Sequence, residues 1–163
     1  MMRAMMLEFI DIPCEDADRQ YMLGDALLVA PVFRENGNVD FYLPKGKWTH
    51  LLSEETVQGG EWRQENHSFF SLPLYVRENT ILPIGSCDSS PEYDYTDGLE
   101  LCIFNLADGA EATRRICNSD GENALLVFAK RSGKTIYISL AGETESVKIS
   151  QIGTDCNIVI EKN

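Results

Sequence analysis

The sequence predicts a mainly β protein, in which the last strands of an incomplete (β/α)8 barrel are followed by two small antiparallel β-sandwich domains. Three observations predict it. Residues 26–32 carry no polar side chain, have the length of a strand and include Pro31, which stops a helix; runs of this kind are buried on both faces, as in parallel sheets. Beyond Pro31, turn residues recur at short intervals (Asn36-Gly37, Pro44, Gly46, Gly59-Gly60, Pro73, Asn79, Pro83), which is the punctuation of antiparallel strands. Further on, five β-branched or aromatic runs are separated by Asp108-Gly109, Asp120-Gly121, Ser132-Gly133, Gly142 and Gly153.

The elements follow in order. Residues 1–9 alternate too little for a half-exposed strand, but Met5, Met6, Leu7 and Phe9 suit a buried one. The acidic stretch 11–18 is a loop, and Asp18 is placed to cap a short helical turn over residues 19–23 closed by Gly24. The apolar run 26–32 completes the barrel portion, residues 1–32. A proximal β domain, residues 33–86, takes strands from residues 39–43, 48–51 and 74–76, with a hairpin turn at residues 35–38. Residues 87–97, rich in Ser, Asp and Pro, read as a crossing segment at the start of the distal β-sandwich, residues 87–163. The five strands of that domain are residues 99–104, 124–128, 135–139, 147–149 and 158–160.

Composition narrows the function. With 163 residues and 44% apolar side chains there is enough material for a sizeable core. The net charge of −12 repels polyanions, so nucleic acids and anionic membranes are not expected partners. The longest apolar run falls short of the roughly 20 residues that span a bilayer, and no leader or anchor is expected. Five cysteines, Cys14, Cys87, Cys102, Cys117 and Cys156, form no C-x-x-C pair and are odd in number, so free thiols in a reducing cytoplasm are the expectation.

Carboxylates cluster early: Glu8, Asp11, Glu15, Asp16, Asp18 and Asp25. Two of them at about 5–5.5 Å would make a glycoside-cleaving pair, yet acidic loop residues more commonly solvate turns or cap helices, and Asp18 and Asp25 are expected to be fixed by backbone hydrogen bonds. His50 and His67 stand at no metal-ligand spacing and read as surface or interface side chains. Gly133-Lys134-Thr135 lacks the earlier glycine and following helix of a phosphate loop and is a turn. Trp48, Trp62, Phe69, Phe70, Tyr75, Tyr93 and Tyr95 suit either a core or a sugar-stacking face. Asn66-His-Ser68 fits a glycosylation acceptor, which a cytoplasmic location makes a chance match.

Several segments together resemble the C-terminal part of family 31 glycoside hydrolases, the α-glucosidases and α-xylosidases. They are Arg3-Ala-Met-Met-Leu-Glu-Phe9, residues 18–32, Phe41-Tyr-Leu-Pro-Lys-Gly-Lys-Trp48 and residues 74–83. Ala4, Trp48-Thr-His-Leu51 and residues 104–112 are similar to the bacterial α-xylosidase branch. The resemblance implies the end of a (β/α)8 barrel with proximal and distal β-sandwiches, and retaining hydrolysis through a covalent glycosyl-enzyme intermediate without a metal or organic cofactor. It also implies that the catalytic aspartates lie on earlier barrel strands. No catalytic, cofactor-binding or metal residue is therefore assigned in this sequence.

Two readings follow. In the first, the chain is the C-terminal scaffold of an α-xylosidase-like enzyme, inactive alone, whose partners are the upstream barrel and, in the full protein, a carbohydrate; a homo-oligomer is compatible with it. Leu27, Leu28, Val29, Val32 and Phe33 are then expected to await missing neighbours, the chain alone to self-associate, and removal of residues 1–31 to improve solubility. In the second, the chain is a β-sandwich module that binds carbohydrate or another subunit, which exposed aromatics would favour and burial of Trp48 and Trp62 would oppose.

Overall fold

The computed structural model describes residues 1–142 and 147–162. Two compact units divide the chain, Met1–Glu78 and Asn79–Asn163. Among the described residues the helical content is two single 3-10 turns, Met5–Leu7 and Ile12–Cys14, and the rest of the regular structure is strand.

In the first unit, β1 (Met2–Ala4), β2 (Tyr21–Leu23), β3 (Leu27–Val29), β8 (Leu74–Arg77), β5 (Lys47–His50) and β6 (Thr56–Gln58) lie side by side in that order. Every neighbouring pair is antiparallel. A second, two-stranded sheet pairs β4 (Asn38–Leu43) with β7 (Glu61–Asn66), also antiparallel. Their apolar faces share one core that includes Met5, Met22, Leu28, Phe41, Leu43 and Trp48. Trp48 is buried with its indole N–H donating to the Pro44 carbonyl at 2.7 Å, so the largest side chain of this core leaves no polar atom unpaired.

This arrangement corrects three expectations. The apolar run 26–32 does not wait for outside neighbours: β3 sits between β2 and β8, and Leu28, Val29 and Ala30 are buried within the unit, leaving Phe33 exposed at 70%. Residues 19–23 do not form a helical turn. Met22 is fully buried while Leu23 is exposed, the alternation of a strand, and ladders with β1 and β3 take up the backbone bonds a helix would have made. The turn at residues 34–37, closed by the Gly37 amide on the Arg34 carbonyl at 2.9 Å, leads into β4 but is not a hairpin, because β4 pairs with β7.

Polar clamps hold the early segment to the sheet. Glu8 receives Arg3 and Arg77, each at 2.8 Å, and Arg3 also donates to the Gly24 carbonyl. The buried Gln20 carboxamide bonds both the N–H and the C=O of Tyr42 at 2.7 Å, standing in for a neighbouring strand where the ladder is missing.

The second unit is a sandwich. One sheet has the order β14 (Val147–Ile152), β10 (Leu99–Phe104), β9 (Thr80–Ile84), and the other β11 (Glu111–Cys117), β12 (Asn123–Ser132), β13 (Thr135–Gly142), β15 (Asn157–Lys162). The pairs β10–β14 and β13–β15 are parallel and the others antiparallel. Leu101 and Ile103 from one sheet and Leu125, Val127, Ile136 and Ile138 from the other meet in one buried cluster. Strand β12 shows the rule of alternation directly: Leu125, Val127 and Ala129 are buried, Leu126 and Phe128 face out. Gly133 and Lys134 make the turn between β12 and β13, as the sequence predicts.

Candidate functional site

His50 is buried and His67 half-buried, and both stand where the two sheets of the first unit meet. His50 closes β5 and stands opposite Tyr75 of β8 in the ladder, the rings meeting edge-on with centroids 5.1 Å apart. Glu65 on β7 and His67, just beyond its end, come from the other sheet of the same unit. His67 is held in place through its backbone: its amide donates to the Gly37 carbonyl at 2.9 Å, and Gly37 adopts φ +77°, where a Cβ would collide with the His67 carbonyl.

Hydrogen bonds lock the group. The Tyr75 hydroxyl donates to Glu65 Oε1 at 2.6 Å, His67 Nε2 meets Glu65 Oε2 at 2.8 Å, and His67 Nδ1 meets Ser71 Oγ at 2.9 Å. The Ser53 amide approaches His50 Nδ1 at 3.3 Å, so Nε2 carries the proton and faces the Leu72 carbonyl at 3.2 Å. Burial, then the bond to Glu65 and its charge, pushes the Tyr75 phenol well above its ordinary acidity range and keeps it a donor. One donor atom each from His50, Glu65 and His67 lies within 4.8 Å of the other two. They border an open groove of about 690 Å³. A carboxylate and two imidazoles converging there can exchange protons or take a transition metal.

The early carboxylates are engaged elsewhere or exposed. Glu8 is committed to its two arginines, and Asp11 accepts from the Tyr42 hydroxyl at 3.2 Å and the Lys45 amide at 3.0 Å. Glu15, Asp16, Asp18 and Asp25 are exposed, and the backbone carbonyl of Asp25 accepts from Arg77. The aromatics split: Trp48 and Tyr75 are buried, while Phe69 and Phe70 are nearly fully exposed and Trp62 is about half so, beside a cleft of about 190 Å³ that Phe33 and Asp18 also line. Tyr93 and Tyr95 stack edge-on with centroids 4.9 Å apart in the loop before β10.

Local spacing does not reveal the convergence on Glu65. A signal existed in part, since Glu65 and His67 are two apart and leave a strand on the same side. His50 and Tyr75 join them only through the β5–β8 register and the packing of two sheets, neither of which is written in local spacing.

Comparison with known proteins agrees with this architecture. The Glycosyl hydrolase family 31 C-terminal domain matches residues 1–82, and the C-terminal domain of α-xylosidase YicI matches residues 94–160. α-Xylosidase XylQ of Lactiplantibacillus pentosus is 34% identical over 88% of this chain and 19% of its own length, and an α-xylosidase of Emericella nidulans is 31% identical over 94% and 22%. The chain thus spans about a fifth of the length of the curated relatives it matches. A solved family 31 α-xylosidase from Xanthomonas citri shares the fold over 99% of this chain and 18% of its own, at a TM-score of 0.71 and 23% identity. The chain therefore belongs to glycoside hydrolase family 31 and carries that family's C-terminal β domains.

Proposed function

We propose that the chain is the C-terminal scaffold of a retaining α-glycosidase that removes terminal α-xylosyl or α-glucosyl residues, and that the catalytic aspartates belong to an upstream barrel. The observation that carries this is an unpartnered apolar surface on the first unit: Met2, Met6, Leu7, Ile10, Ile12 and Phe33 are all exposed, five of them in the turns and links before β2 or in β1 itself. Full burial of such side chains is worth roughly 1.5–3 kcal/mol each, so covering the set gains on the order of 10 kcal/mol. A barrel packed there is the partner that relatives about five times as long would supply.

The chemistry then resides in two aspartates of the barrel, one attacking the anomeric carbon and the other protonating the leaving oxygen and later activating water, with no cofactor required. A cytoplasmic setting is part of the proposal, supported by five thiols that all stand free. Exposed Trp62, Phe69 and Phe70 favour a second reading, a surface that contacts glycan directly, although burial of Trp48 and Tyr75 removes two members of the aromatic set. Hydrolysis of p-nitrophenyl α-xyloside and α-glucoside by the polypeptide extended upstream through the barrel tests the activity: turnover of either supports the proposal and identifies the sugar, and turnover of neither rejects it.

A further inference from the structure

The geometry points to a zinc-binding site formed by His50, Glu65 and His67 on the first unit. Nothing in the glycosidase chemistry uses these groups. Three features carry the inference: a donor set of two imidazoles and a carboxylate, the mutual approach of their donor atoms within 4.8 Å, and an open groove alongside that lets water complete a fourth position. The ring centroids of His50 and His67 are 6.1 Å apart. At a tetrahedral zinc with Zn–N of about 2.0–2.1 Å, two imidazole centroids stand about 5 Å apart, so the rings close by about an ångström on binding.

Outer contacts prepare each ligand. Tyr75 holds Oε1 of Glu65 and leaves Oε2 for the metal, and Ser71 sits on the far nitrogen of His67. When His67 shifts its proton to Nδ1, that N–H donates to the Ser71 hydroxyl at the present 2.9 Å and Nε2 gains a free lone pair. The contact given up, His67 Nε2 to Glu65 Oε2 at 2.8 Å, needs to open by about half an ångström for both atoms to ligate one zinc. His50 loses little with either nitrogen, because its present partners stand at 3.2 and 3.3 Å. The net charge of −12 draws divalent cations to the surface.

The test is calorimetric titration of the full chain with ZnCl2 after chelator treatment, with Cys87→Ser and Cys117→Ser present so that the more accessible thiols do not compete. Expected are one zinc per chain, a higher melting temperature, and a roughly tenfold or larger loss of affinity in Glu65→Gln and in His67→Gln. Both variants keep hydrogen-bonding groups in place, so their melting curves without metal remain near that of the parent. Absence of binding, or binding that both variants retain, overturns the inference. Cobalt gives an independent reading, since a four-coordinate site of these ligands produces strong visible absorption that the two variants lose.

Discussion

At the scale of single residues, two thiols mark the extremes of this chain. Cys14 is buried, and burial followed by the charge of Asp11 pushes its pKa up to about 11. Cys87 is held below the ordinary thiol value by the Ser89 hydroxyl and then by the Ser89 and Ser90 amides. Iodoacetamide at mild pH is expected to label Cys87 first and to reach Cys14, Cys102 and Cys156 only in denaturant; uniform labelling in the native state contradicts the burial pattern. Cys14 and Tyr75 also fix a response to alkali. Both have folded values raised above their ordinary 9.0 and 10.0, so the stability they add is complete below those values and is lost as pH rises through the folded ones. Urea unfolding from pH 7 to 11 is expected to show a plateau and then a fall beginning above about pH 9, with Tyr75→Phe flattening its upper part. Residue-scale legibility was uneven. Among the early carboxylates the side chains of Glu8 and Asp11 hold the segment, whereas loop context singles out Asp18 and Asp25, and Tyr75, His50, His67 and Glu65 meet through sheet packing that no local pattern encodes.

At the scale of elements, alternation decides what a reader of the sequence finds. Strands with a fully apolar or regularly alternating face, β4, β10, β12 and β13, stand where the sequence placed them. Strand β11 was missed because Glu111, Arg114 and Arg115 dominate it, and its inward set is small, Ala112 and Ile116. Strand β7 was missed for a similar reason: Glu61, Arg63, Gln64, Glu65 and Asn66 show no apolar period, and the ladder to β4 alone defines it. The expectation for the first 31 residues reverses. They contribute β1, β2, β3 and the buried Met5, Met22, Leu28 and Ala30, so their removal exposes the core side of β8 and is expected to lower solubility and abolish cooperative unfolding of the first unit, read by circular dichroism and sedimentation. A sharper probe is Trp48→Ala, which empties the largest site in that core and breaks the bond to Pro44; a loss of about 3–5 kcal/mol is expected in urea, and a change below about 1 kcal/mol contradicts the packing described.

At the scale of the whole molecule, the chain consists of two self-contained β units, each with its own core, and its α-xylosidase relatives are about five times as long. The first unit satisfies its own strands yet leaves Met2, Met6, Leu7, Ile10, Ile12 and Phe33 uncovered, so its exposed apolar surface lies mainly in links and turns rather than in the apolar strand β3. That distinction was beyond the sequence, because an apolar run looks the same whether its neighbours come from its own unit or from another. The central claim is that these units support a catalytic barrel and perform no glycoside cleavage themselves. The deciding quantity is the rate of p-nitrophenyl α-xyloside hydrolysis by this chain alone, beside the same polypeptide extended upstream through the barrel. Turnover is expected in the extended protein and none above buffer in the chain alone; turnover by the chain alone, abolished by substitution of one of its own carboxylates, overturns the assignment of catalysis to the barrel.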